Sequence, residues 1–459
     1  MEPISIKQIV DALGGTLLCG DENTIIKSIT TDSRVSGENM LFIPLAGENF
    51  DGHDFIEASF DNGAVASLTH KKDNALCERV LIYVDDTKDA LCDLARFYLE
   101  KNRTKVVALT GSVGKTTTKD MVAAALSEKY NVLKTQGNFN NDIGLPLTVF
   151  NIEKCHDIAV LEMGMNHFGE IHKLVSIAHP DKAIITNVGM SHIENLGSRE
   201  GILSAKMEIV DYFDEGNMLF LNGDDDMLSK AEHKKGYKIT TFGIENEDVD
   251  FRAVNIEKSP RHIEFDILYD EKSVHIELSV PGRHNVYNAL CAFAIAKSFN
   301  IEDEKITKGL AGFCPSGMRM NIESVGEITL INDCYNASPS SVEAALDVLC
   351  ALKSKRHIAI LGDMLEMGEY AQKAHTQLGE KIAKMNVDML LCVGNEAKNM
   401  CIGAKSMGMD AKKVYHFKDN KELTLCLKKL IEKGDAVLVK ASRSMRFEQI
   451  AQALKESFL

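Results

Sequence analysis

Nowhere in the 459 residues do two cysteines stand as C-x-x-C, although there are 11 of them. Scattered singly and odd in number, they argue against a disulfide frame and a zinc site, and read as small buried hydrophobes of a reducing compartment. A basic excess is missing too. The formal net charge is −15, whereas nucleic-acid binding usually shows a basic face. No apolar run approaches the roughly 20 residues of a membrane-spanning helix. Residues 1–14 lack the basic and apolar regions of a secretory signal, so a cytoplasmic chain without a membrane span is expected. Neither a repeat of about 20–50 residues nor a low-complexity tract occurs. What remains is ordinary globular usage, 45% hydrophobic and 26% charged, in a chain too long for one core.

One stretch organises the rest: V-V-A-L-T-G-S-V-G-K-T-T-T, residues 106–118. Five small or apolar residues, 106–110, read as a buried strand. A glycine turn follows, then apolar residues at helical spacing over 119–130. Such a strand, turn and helix start cradle phosphate, because unpaired N–H groups and the helix dipole face the anion. Gly111 and Gly114 let the backbone approach phosphate oxygens, Lys115 reaches the terminal phosphates, and the Thr116 hydroxyl can ligate Mg²⁺. The commoner loop form would carry glycine where Leu109 stands, so this is a shorter variant.

The pattern predicts an α/β fold of three domains. Residues 1–86 form a small mixed α/β N-terminal domain, with Ser5 capping a helix to Leu13 and strands at 25–30, 40–46 and 64–69. A helix over 87–102 leads into a central P-loop domain of doubly wound type, residues 87–313. Its strands fall at 106–110, 131–135, 158–163, 183–188 and 217–221, and segments 238–242, 261–268 and 274–280 read as an antiparallel flap. Residues 314–459 form a Rossmann-like domain with strands at 328–333, 357–362, 388–393, 413–417 and 436–441. It holds no G-x-G-x-x-G, so a dinucleotide site is not indicated.

Polar residues at strand ends mark candidate sites, since such sheets bind ligands there. Glu162 follows a buried apolar run, where an unpaired carboxylate is costly; it is a metal ligand or a helix cap. His192 ends another strand, and one histidine alone usually has a structural role. The run Q-G-N-F-N-N-D-I-G-L-P-L-T either turns the chain or holds a polar substrate. His284 and Asn285 open an alanine-rich helix, where they read a nucleobase or cap it. Lys440, Arg443 and Arg446 cluster after the last strand and suit a carboxylate or phosphate. In the first unit T-D-S-R and A-G-E-N-F-D-G-H-D-F are turn-like.

Taken together these stretches resemble the Mur ligase family. The resemblance covers nearly the whole chain and rests on T-G-S-V-G-K-T-T, G-N-F-N-N-D-I-G-L-P-L-T, L-E-M-G-M, N-V-G-M-S-H, E-G-I-L-S-A-K, G-R-H-N-V-Y-N-A, M-R-M, N-D-C-Y-N-A-S-P-S-S, L-G-D-M-L-E-M-G and V-K-A-S-R-S-M-R. Their joint presence is most similar to the branch that adds D-alanyl-D-alanine to UDP-N-acetylmuramoyl-tripeptide. The resemblance implies an ATP- and Mg²⁺-dependent, ADP-forming amide ligase of peptidoglycan synthesis, acting as a monomer on those two small molecules. A sibling ligase with another amine acceptor, or a P-loop ATPase switch, are the rival readings.

Residue by residue, the resemblance places Gly111, Ser112, Val113, Gly114, Lys115, Thr116 and Thr117 around the ATP phosphates. Lys115, Lys206, His192 and Arg319 become the catalytic set. Thr116, Glu162, His192 and Lys206 become metal ligands, Lys206 after carbamylation by CO₂. Asn285 is implied at adenine, Arg319 at the γ-phosphate and Asp333 at the ribose. Ser33 and Arg34 would hold UDP in the first domain, and Asn138 and Asn141 would border the muramoyl-peptide channel. Lys440, Ser442 and Arg443 would meet the dipeptide.

Overall fold

The computed structural model describes residues 1–72, 79–231, 236–315 and 317–458. Its centre is a nine-stranded sheet in the order Lys272–Leu278, Ile263–Tyr269, Phe251–Lys258, Lys238–Gly243, Met218–Asn222, Lys182–Ile185, Lys105–Thr110, Ile158–Glu162, Val132–Lys134. The strand Lys105–Thr110 is buried on both faces. Val106 and Ala108 enter one core while Val107 and Leu109 enter the other, which is why its sequence runs apolar rather than alternating. Truncating Leu109 to alanine would cost about 2–5 kcal/mol.

The two faces are covered differently. Helices Lys115–Ser127 and Arg283–Ser298 pack on one. On the other, helix Thr87–Asn102 shares a single core with the first unit. Tyr98 of that helix is buried, donates its hydroxyl proton to the Ile152 carbonyl and accepts from the Glu2 N–H.

The first unit carries a five-stranded sheet, Thr16–Cys19, Val80–Tyr83, Ala64–Thr69, Met40–Phe42, Ser28–Thr30, with only the first pair antiparallel. Ser5 caps the helix Ile6–Leu13 through a capping box with Gln8, and Gly14 ends it at φ 58°. The expected strand at 25–30 is two strands. Ile25–Ile26 pairs with Ile4–Ser5, and Ser28–Thr30 joins the larger sheet.

The third sheet runs Asn321–Val325, Ile328–Asn332, Asp435–Lys440, Arg356–Gly362, Met389–Val393, Val414–Phe417, parallel except for the first pair. The strand Asn321–Val325 escapes the sequence reading because one of its five residues, Val325, is buried.

Two expectations need correction. The segment Lys238–Gly243 is no part of an antiparallel flap; it runs parallel to Met218–Asn222 and widens the main sheet. Only Phe251–Lys258, Ile263–Tyr269 and Lys272–Leu278 form the antiparallel end. Phe251–Lys258 went unread because its polar residues leave Ala253 alone fully buried, too weak an alternation to mark a strand. The helix after the phosphate loop begins at Lys115, one turn before its apolar periodicity starts.

Candidate active site

The phosphate loop is held in shape by the segment that follows Lys182–Ile185. That strand stops at Ile185 rather than 188, and the freed residues turn towards the loop. Asn187 accepts the Ser112 N–H at its carbonyl and the Val113 N–H at its side-chain oxygen. Thr186 Oγ1 and Asn187 Nδ2 both donate to the Val113 carbonyl, at 2.8 and 3.0 Å. The Gly189 N–H donates to Ser112 Oγ. Glycine is required at 111, since a Cβ there would lie 1.9 Å from Thr186 Oγ1. Gly114, at φ 82°, reverses the chain into the helix start.

At that start the first N–H groups have no partner within the helix. Lys115 folds back, its Nζ donating to the Gly111 carbonyl at 2.7 Å. Burial pulls its proton affinity down, and the Glu162 charge opposes that shift. Thr116 Oγ1 donates to Glu162 Oε2 at 2.9 Å, while Asn140 Nδ2 donates to Oε1 at the same distance. Glu162 is buried at the carboxyl end of Ile158–Glu162, so its charge sits at the foot of the phosphate loop. A hydroxyl and a carboxylate side by side form a hard oxygen pair suited to Mg²⁺.

A cleft of about 740 Å³ opens above these residues. It lies between the central and third sheets. Ser112, Val113, Gly114, Lys115, Thr116, Thr117, Asn138, Asn141, Glu162 and His192 line one wall, and Arg319, Asp333 and Lys440 the other. Arg319 lays its guanidinium 3.8 Å from the centre of the Tyr335 ring. Asp333 accepts the Met320 N–H and pairs with the buried Lys440 ammonium. His284 also lines the cleft; burial lowers its imidazole to about 4, so it is neutral near pH 7.

His192 occupies a left-handed conformation, φ 64°, at the start of a short helix. Its Nδ1 lies 2.6 Å from Glu366 Oε2, across the gap between the sheets. Lys206 lies on helix Arg199–Met207 and is 1% exposed. Desolvation, then repulsion from Lys115, push its ammonium well below the usual lysine range. A neutral buried amine is the form that adds CO₂.

Other expected residues stand elsewhere. Asn285 is not on the cleft wall. Its Nδ2 donates to the Pro281 carbonyl and its Oδ1 accepts from Asn288 Nδ2. Asn288, one turn on, lines the cleft and accepts from Thr118 Oγ1. Ser442 accepts the Leu365 N–H and donates its own N–H to the Asp363 carbonyl, joining two loops. Arg443 is half-exposed, pairs with Glu448 and reaches within 6.0 Å of Tyr335. Asn141 lines the cleft and also accepts the Ile143 and Gly144 N–H groups just at the start of helix Gly144–Val149.

Ser33 and Arg34 do not line this cleft. Arg34 is exposed and grips Asp32 with two hydrogen bonds. The second loop of the first unit is ordered around buried His53, whose Nδ1 faces Asp51 at 2.6 Å.

Sequence reasoning missed Asn140, Asn187, Asn288, Tyr335 and Glu366. The first four sit inside or beside motifs it had marked. Glu366 too lies inside a marked motif, L-G-D-M-L-E-M-G, but nothing local pairs it with His192, which follows a strand of another sheet.

A phosphate loop at a sheet's switch point, facing a second α/β unit across a polar cleft, defines an ATP-dependent ligase architecture. The chain belongs to the Mur ligase family. Residues 25–99 match "Mur ligase family, catalytic domain", 109–296 "Mur ligase middle domain" and 318–443 "Mur ligase, glutamate ligase domain". Among its relatives is the UDP-N-acetylmuramoyl-tripeptide--D-alanyl-D-alanine ligase of Bacillus subtilis (strain 168), 40% identical over 99% of this chain and 98% of the relative. The enzyme of that name from Escherichia coli (strain K12) is 35% identical over 100% and 99%. MurF from Acinetobacter baumannii superposes with TM-score 0.92 at 33% identity, covering 99% of both chains. MurF of Thermotoga maritima in complex with ADP gives 0.83 at 29%, covering 94% and 97%.

Proposed function

We propose that this chain joins D-alanyl-D-alanine to UDP-N-acetylmuramoyl-tripeptide, with ATP cleaved to ADP and phosphate. The observation that carries the reading is the cleft itself. It faces Lys115 and Thr116 of the phosphate loop with Arg319 and Asp333 of the third sheet.

In this reading the N–H groups of residues 111–117 hold the polyphosphate. Lys115 and Arg319 approach the transferring group from opposite walls and offset the charge of two meeting anions. Tyr335 keeps the Arg319 guanidinium flat and aimed. The tripeptide carboxylate oxygen bonds to the γ-phosphorus as the bond to ADP breaks, leaving an acyl phosphate. The dipeptide amine nitrogen, having lost its proton, then bonds to the acyl carbon and phosphate departs.

Thr116 and Glu162 fit Mg²⁺, which supplies charge neutralisation on the phosphates. His192 and a carbamylated Lys206 would complete a second cation position. Asn288 and Asn285 behind it serve the base end of the nucleotide, and Asp333 its ribose. Asn138 and Asn141 border the peptide channel, Ser33 and Arg34 grip the UDP end, and Lys440, Ser442 and Arg443 frame the dipeptide end.

No helix among the described residues is long and apolar enough to cross a membrane. The nucleotide substrates put the reaction in the cytoplasm, and the chain acts as a monomer. Phosphate release measured with UDP-muramoyl-tripeptide, with and without D-alanyl-D-alanine, tests the reading. Release that requires both, with a heavier UDP-linked product, supports it; release indifferent to the dipeptide overturns it.

A further inference from the structure

We propose that Lys119 is a positioning residue that competes with a divalent cation for Glu162, and that Asp120 and Lys134 set how strongly it competes. The proposal rests on the magnesium reading of Thr116 and Glu162 given above.

Lys119 belongs to helix Lys115–Ser127 and is 2% exposed. It does not line the cleft, and the reaction as derived makes no use of it. Its Nζ lies 3.9 Å from Glu162 Oε2, the oxygen bonded to Thr116, and 3.6 Å from Asp120 Oδ1. Asp120 is likewise buried and takes the Lys134 ammonium at 2.8 Å. Charge therefore alternates along Glu162, Lys119, Asp120 and Lys134. The row runs from the phosphate loop to a shallow depression whose wall includes Asp120 and Lys134.

A buried ammonium needs a counter-charge. Lys119 has two, and holds neither at close hydrogen-bonding distance. It is shared, so the balance between them can tip. A cation that takes Glu162 must displace Lys119 towards Asp120, and meets the repulsion of a like charge a few ångströms away. Lys134 limits how much of Asp120 is available to receive it. The protein alone thus binds a bare cation weakly. A cation arriving with a polyphosphate brings the negative charge that repays the loss, so metal and nucleotide enter together.

The test is Mn²⁺ alone, titrated onto the nucleotide-free full-length protein and read by the paramagnetic resonance of free Mn²⁺. Melting temperatures check that each variant folds. Lys134→Met leaves Asp120 to Lys119, and affinity should rise about threefold. Asp120→Asn leaves Lys119 to Glu162, and affinity should fall about threefold. Lys119→Met should tighten binding about tenfold, and Lys119→Arg should behave as the parent does. Loss of a nearby charge would by itself move these two variants in those directions, so the deciding result is that both shifts vanish in the Lys119→Met background. If those two leave affinity unchanged, shift it the same way, or keep their shifts in the Lys119→Met background while Glu162→Gln abolishes binding, this proposal alone fails. If Glu162→Gln binds Mn²⁺ as the parent does, the magnesium reading falls and takes this proposal with it. Should Lys119→Met not fold, Lys119→Gln takes its place as that background; Lys134 is partly exposed and asparagine keeps the shape of aspartate, so the other two variants should fold.

Discussion

His192 Nδ1 meets Glu366 Oε2 at 2.6 Å, and this contact ties the central sheet's carboxyl edge to the loop after Arg356–Gly362. The His192 imidazole beside it, more than any other influence, holds the Glu366 carboxyl below its usual range. A group whose folded pKa is depressed stabilises above its unfolded value, 4.5 here, and loses that contribution as pH falls through the folded value. Glu366 is half-exposed, so Glu366→Gln should cost under about 1 kcal/mol near neutral pH. Melting curves should show that difference at neutral pH and its disappearance well below pH 4.5.

Lys115→Met removes the ammonium that donates to the Gly111 carbonyl and that, in the proposed reaction, would face the transferring phosphate. A loss of about 10²–10³ in kcat is expected, in line with removal of one charge-stabilising donor. Steady-state phosphate release checks it, and an unchanged melting temperature would show that the loss is chemical.

Lys206 is buried, and desolvation, then repulsion from the like charge of Lys115, push its ammonium well below the usual lysine range. The parent protein in ¹³C-bicarbonate should show a carbamate carbon resonance that Lys206→Arg lacks. Activity should fall when dissolved CO₂ is stripped and return on its addition.

Gly111→Ala would drive a methyl into Thr186 Oγ1, 1.9 Å from the new Cβ. A destabilisation of about 1–3 kcal/mol follows from overpacking of this kind. Thr186→Ala should recover part of it, so the double variant is less than additive by thermal melting.

Much of the fold was legible because long strands buried on both faces read as apolar runs. Ala64–Thr69, Lys105–Thr110 and Arg356–Gly362 lie within a residue of where the pattern put them. Helix Thr87–Asn102 was read from its first residue to its last. Short or half-exposed strands such as Thr16–Cys19 and Asn321–Val325 carry too little alternation to announce themselves. At the site, residues inside glycine-rich or amide-rich motifs were found, because their backbone chemistry is local. Asn288 was passed over for Asn285, three residues earlier on the same helix, since only packing shows which amide faces the cleft.

By itself the sequence determined the phosphate loop, the long buried strands with the helices between them, and the polar strand ends, all set by neighbours a few residues apart. The tertiary structure decided which ends meet: that Arg319 and Asp333 face Lys115, that Glu366 reaches His192, and that Ser33 and Arg34 lie outside that cleft. Those relations join residues that lie far apart in the chain. Burial and charge pairing select them, and no local pattern records either.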